Sequence, residues 1–169
     1  MKKLVFVLMT TVALTFSQKT VAQETIVDAA VGNENFSTLV TALKAAELVE
    51  ALQGDGPFTV FAPTNDAFAK IDKETLGNLL KPENKETLTK ILTYHVVPGK
   101  LMASDVVAAL KKNKGTVEVK TLAGEILTVM QKDGKIWLKD QKGNYSEITA
   151  TDVKGSNGVI HVIDTVVMP

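Results

Sequence analysis

The 169-residue chain has no cysteine and balances 19 lysines against 19 acids without a single arginine. Nucleic-acid and phosphate recognition usually draws on the bidentate guanidinium fork, so this composition argues against both, and it excludes an Arg-Gly-Asp motif outright. The missing thiol likewise excludes disulfides, thiolate metal sites and a lipid-bearing N-terminal cysteine.

Lys2 and Lys3 precede an apolar run from Leu4 to Phe16, and a polar stretch then closes on Thr20-Val21-Ala22. This reads as an export signal over residues 1–22, cleaved after Ala22. A run of about 13 residues covers roughly 20 Å as a helix, short of the roughly 30 Å hydrocarbon core that a membrane anchor must cross. Cleavage removes Lys2, Lys3 and Lys19 and no acid, leaving residues 23–169 as one mildly acidic domain with no membrane-spanning segment.

Phe36, Leu39, Val40, Leu43, Val49 and Leu52 fall near a 3.6-residue period and predict one amphipathic helix from Phe36 to Gln53, ended by Gly54-Asp55-Gly56. A short strand from Phe58 to Ala62 then runs into Pro63-Thr64-Asn65-Asp66. Thr64 or Asn65 can accept from the first free amides of a helix reaching Ile71, and Asp66 suits the positive end of its dipole. Helical patterning resumes over Thr75 to Leu80 and again from Asn84 to about Thr93. Past Pro98-Gly99, Ser104 or Asp105 can cap a short helix to Leu110. Strands are expected at Thr116–Leu122, Ile126–Gln131, Lys135–Lys139 (after the Asp133-Gly134 hairpin signal), Tyr145–Ala150 and Val159–Val167. Helices gathered in the first half and strands in the second indicate a β-rich α+β fold, a helix-flanked β core rather than alternating βαβ units.

Few residues offer chemistry. His95 and His161 are the only histidines. On a strand, two-residue alternation puts His161 on one face and Asp164 on the other, so these two do not form a pair. A zinc site without cysteine would need both histidines plus carboxylates, and no spacing suggests it. Ser156 lies between glycines but precedes a strand, whereas a hydrolase elbow turns into a helix. No phosphate loop or calcium loop is present. Asn35-Phe36-Ser37 and Asn144-Tyr145-Ser146 match the glycan acceptor pattern, but the compact Met1-Lys2-Lys3 signal reads as bacterial, and glycans are not invoked.

Two long segments, Phe58 to Lys70 and Asn157-Gly158-Val159-Ile160-His161-Val162-Ile163-Asp164-Thr165-Val166-Val167-Met168-Pro169, together with Tyr94-His95-Val96-Val97-Pro98-Gly99 between them, resemble the fasciclin I domain. The resemblance spans essentially the whole mature chain. It implies a wedge-shaped β-sandwich with helices packed on one side, no enzymatic activity and no cofactor. It also implies adhesion to cells, to a matrix protein or polysaccharide, or to another copy of the chain. In animal relatives the positions matching Asp152-Val153 and Tyr94-His95 are associated with partner binding, which makes these four residues the candidate contacts. The same residues admit another reading, in which Tyr94, His95, His161 and Asp66 are hydrogen-bonded core or cap residues and the motifs record packing. A functional alternative of another class is a carrier of a small apolar ligand held between helices and sheet.

Overall fold

The computed structural model describes residues 24–169; the expected export signal lies outside them. Among the described residues seven α-helices and seven strands follow one another: α1 (Ile26–Val31), α2 (Ser37–Ala45), α3 (Val49–Gln53), β1 (Phe58–Pro63), α4 (Asn65–Ala69), α5 (Lys73–Leu79), α6 (Lys85–Tyr94), β2 (Val96–Pro98), α7 (Ala103–Lys112), β3 (Thr116–Lys120), β4 (Ile126–Lys132), β5 (Lys135–Lys139), β6 (Tyr145–Gly155) and β7 (Gly158–Ile163). The strands lie in the order β2-β1-β7-β6-β5-β4-β3. All neighbours run antiparallel except β1 and β7, whose parallel register pairs Phe58 with Gly158 and Pro63 with Ile163. The long strand β6 joins the two halves: its start pairs with β5 over Tyr145–Glu147 and the rest, from Ile148, pairs with β7 in a register that shifts between Ile148 and Val153.

β1 and β7 are buried on both faces, which is why they read as nearly continuous apolar runs. Val60, Ala62 and Ile160 face a helical layer built from α1, α2, α4 and α6 through Ile26, Leu39, Leu43, Phe68, Leu88 and Leu92. Phe61 and Ile163 face the other way, into a second core with Tyr94, Leu110, Leu127, Val129 and Leu138 from α6, α7, β4 and β5. The expected mixed α+β arrangement of a β core flanked by helices is therefore present.

The single helix expected over Phe36–Gln53 is two. After α2 the chain makes a Schellman turn: Leu48 N–H donates to Leu43 O at 2.9 Å, Glu47 N–H donates to Lys44 O at 3.1 Å, and Glu47 adopts φ 56°. Glycine usually marks such a turn, and a glutamate in its place leaves no sign in the sequence. The last strand also stops early, at Ile163 rather than Val167. There the Asp164 amide still donates to Glu147 O at 3.1 Å, but the Glu147 amide donates at 2.9 Å to the Asp164 carboxylate, so a side chain takes over half of the next rung. The amides of Val167 and Met168 likewise find side-chain acceptors, His95 Nε2 at 3.2 Å and Asp140 Oδ2 at 3.0 Å. α1 and β2 add to the expected elements, and α7 begins at Ala103 and extends to Lys112.

Candidate functional site

The two long sequence segments meet side by side. A Cβ added at Gly56, just before the first segment, would collide with Asn157 O, and one at Gly158 in the second would collide with Phe58 O, so a glycine on each side lets the two approach. Asn157 fastens the junction from its side chain. Its Oδ1 accepts from Ile26 N–H at 3.0 Å, and its Nδ2 donates to Leu52 O at 2.7 Å and Gly54 O at 2.9 Å. One residue thereby ties together the start of α1, the end of α3 and the β6–β7 turn.

Thr64 caps α4, accepting from Ala67 N–H at 3.3 Å. Asn65 does not share that task. Its Oδ1 accepts from Thr38 N–H at 3.0 Å and from the Ser37 hydroxyl at 3.2 Å, and its Nδ2 donates to Glu34 O at 2.8 Å. It therefore caps α2, whose own N-terminal residue Phe36 has no side-chain acceptor. Asp66 is exposed in the first turn of α4. Asp164, far from His161 in bonding terms, is held by Glu147, by the hydroxyl of Thr165 at 3.0 Å and by Lys70 at 3.2 Å. Burial opposes its ionisation, yet these donors outweigh burial and keep its carboxyl below the usual carboxylate range.

Both histidines are buried, and both ring nitrogens of each are occupied. His161 Nε2 donates to Leu101 O at 2.7 Å, and Nδ1 accepts a long bond from Asp152 N–H at 3.4 Å. His95 has the opposite tautomer: Nδ1 donates to Ile91 O at 2.8 Å and Nε2 accepts from Val167 N–H. Burial pushes the His95 pKa down to about 4, against the opposing pull of the Ile91 carbonyl. Tyr94 is fully buried, donates to Ile126 O at 2.9 Å, and has its phenol pushed up to about 12 by burial and by the charges of Asp140 and Glu125. The Tyr94 and His95 side chains therefore present no surface to a partner: Tyr94 lies in the second core, and His95, at the end of α6, is enclosed between Ile91 and Val167.

Asp152 and Val153 are placed differently. Asp152 sits at φ 60° in the irregular part of β6, and its half-buried carboxylate accepts from Ala103 N–H at 2.9 Å, capping α7 from another element. Val153 beside it is 39% exposed. Around them Thr59, which sequence reasoning passed over, donates to Gly99 O at 2.7 Å and accepts from Leu101 N–H at 2.8 Å. Thr59, His161 and Asp152 together hold the whole β2–α7 connection. Asp140 is the other missed residue: buried at 4% exposure, it accepts from the amide and side chain of Asn144 as well as from Met168 N–H. A tertiary contact between a turn and the chain's last residues leaves no local pattern to detect.

Chemically, this arrangement fastens distant segments of the chain to one another. Neither histidine has a free nitrogen to act as a base or ligand, and among the described residues no three His, Asp or Glu side chains converge as a metal site would require. The void between helices and sheet, bounded by Ile26, Leu39, Leu43, Leu52, Val60 and Ile160, measures about 20 Å³. Ligand pockets are on the order of 300 Å³ or more, so the carrier alternative has no room in this layer.

Fold and site together define a scaffold domain whose signature polar residues, the exposed Asp66 apart, are engaged internally. The chain belongs to the fasciclin domain family, whose model matches residues 34–169. It is 57% identical over 145 residues to Protein sll1483 of Synechocystis sp., across 86% of this chain and 73% of that protein. It is 35% identical over 145 residues to transforming growth factor-beta-induced protein ig-h3 of Sus scrofa, across 86% of this chain but only 19% of that much longer protein. Among solved structures, a FAS1 domain pair from the insect cell adhesion molecule fasciclin I matches with a TM-score of 0.75 at 19% identity, covering 86% of this chain and 51% of that one. No helix among the described residues is long and apolar enough to cross a membrane.

Proposed function

We propose that the chain is an exported, single-domain adhesion module spanning residues 23–169, which binds a cell-surface or matrix partner, or a second copy of itself, through its surface and without catalysis. The observation that carries this reading is the occupation of the motif residues. His95, His161, Asn65, Asn157 and Asp164 are all bonded within the protein, so a rigid scaffold is what these residues build. Membership in a family that includes an insect cell adhesion molecule supports the same view. Of the four candidate contacts, the Asp152-Val153 corner is retained: Val153 is exposed, and the left-handed backbone at Asp152 fixes how the corner projects. The test is retention of the purified protein on cells of its source and on matrix polymers, with self-association followed by sedimentation. Retention or self-association that weakens on Val153→Lys supports the proposal, and absence of binding in every format contradicts it.

A further inference from the structure

The outer face of the β3–β6 sheet carries an aromatic hollow that the scaffold does not use. Alternation along β4, β5 and β6 sends Leu127, Val129 and Leu138 into the second core. It leaves Met130, Trp137 and Glu147 aligned across three strands on the opposite face, with Lys139 paired to Tyr145 one step along. Met130, Lys132, Trp137 and Tyr145 line a shallow hollow of about 360 Å³. Tyr145 is 49% exposed, an unusual outlay of aromatic surface on a chain with one tryptophan and two tyrosines.

We infer that this face binds an acidic, uronate-bearing polysaccharide, with sugar rings against Trp137 and Tyr145 and carboxylates at Lys132 and Lys139. The inference rests on the adhesion reading and names the chemistry of one partner. Three observations point to it. The charges are complementary: Lys135 is neutralised by Glu147 at 2.7 Å, whereas Lys132 and Lys139 form no ion pair among the described residues, and Lys139 lies 5.8 Å from the centre of the Tyr145 ring. Trp137 and Tyr145 both line the hollow, two aromatic rings against which sugar rings can stack. Finally, β4, β5 and β6 are interior strands whose backbone groups are already paired, so an extended acidic peptide would find no edge to extend. Stacking and charge remain, which suits a ring-built polyanion.

Because Trp137 is the sole tryptophan, its fluorescence reports on the hollow itself. Titration of the purified protein with alginate oligosaccharides is expected to give a saturable emission change that weakens with added salt, while dextran gives none. Lys132→Glu combined with Lys139→Glu, or Tyr145→Ala alone, is expected to weaken binding at least tenfold while the far-UV circular dichroism stays unchanged. No response to alginate, an equal response to dextran, equally tight binding of poly-glutamate, or unaltered affinity in the folded variants would each overturn the inference. Variants that lose alginate binding yet adhere to cells and matrix as strongly as the parent protein would overturn its role in adhesion while leaving the adhesion reading intact.

Discussion

Replacing Asn157 by aspartate exchanges an amide for a carboxylate of the same shape and reverses part of a hydrogen-bond network. The carboxylate still offers an oxygen to Ile26 N–H, but its second oxygen stands where Nδ2 donated to Leu52 O and Gly54 O, at 2.7 and 2.9 Å. Two donated bonds are lost, at about 1 kcal/mol each, and two carbonyl oxygens now face a negative charge. We expect a loss of about 3 kcal/mol at pH 7, which for a protein of this size lowers the melting temperature by roughly 6–12 °C. Asn157→Ala is expected to lose about 2–3 kcal/mol, since all three bonds go but no repulsion replaces them. Acid separates the two variants. Once protonated, the introduced carboxyl can again donate to one carbonyl, so its folded-state pKa rises above the unfolded value. The deficit of the aspartate variant therefore shrinks as pH falls towards about 4, while that of the alanine variant does not. Urea unfolding followed by Trp137 fluorescence provides the free energies. If both variants fall within about 0.5 kcal/mol of the parent, Asn157 does not fasten the junction.

The remaining expectations concern pH and close approach. His95 is held neutral with a folded-state pKa of about 4, whereas an unfolded histidine titrates near 6.5. Between those values the unfolded chain binds the extra proton, so stability falls as pH drops through this window, by on the order of 3 kcal/mol in total. His95→Leu should flatten that part of the stability–pH curve; an unchanged slope would show that His95 is not its source. Gly158→Ala drives a methyl group onto the Phe58 carbonyl and should cost at least about 3 kcal/mol by the same urea assay. Gly77→Ala, on the exposed side of α5 with nothing within 4 Å, should instead add about 0.5–1 kcal/mol. A neutral Gly158→Ala would mean that β1 and β7 do not abut as described.

Much of this architecture can be read from the chain because local patterns and tertiary demands agree. The Asp133-Gly134 turn, the alternation of β4 and β5 and the Thr64 cap all follow from short-range chemistry. Failures occur where a distant partner overrides local preference. Glu47 takes a turn position that favours glycine, where Lys85 pairs with its carboxylate, and Asp164 ends a strand whose pattern continues. Asn65 sits one residue past a good cap and serves a different helix, which no spacing within its own segment reveals. The candidate contacts divide for the same reason. Tyr94 is buried in the second core and His95, at the end of α6, is held by Ile91 and Val167, while Val153 is turned outward by the irregular stretch of β6. The separation of His161 from Asp164 follows from strand alternation, but that His161 reaches Leu101 and the α7 cap depends on the β2–α7 connection, which carries no periodic signal.

The most direct test of the central claim, that the signature residues hold the scaffold and the surface makes the contacts, is a paired measurement on His161→Ala. Unfolding free energy and adhesion per folded molecule are determined on the same preparation. The account predicts a loss of about 1–3 kcal/mol, from the unmet Leu101 carbonyl and Asp152 amide, with adhesion of the folded fraction unchanged. A variant as stable as the parent that no longer adheres would contradict it and make His161 a contact residue.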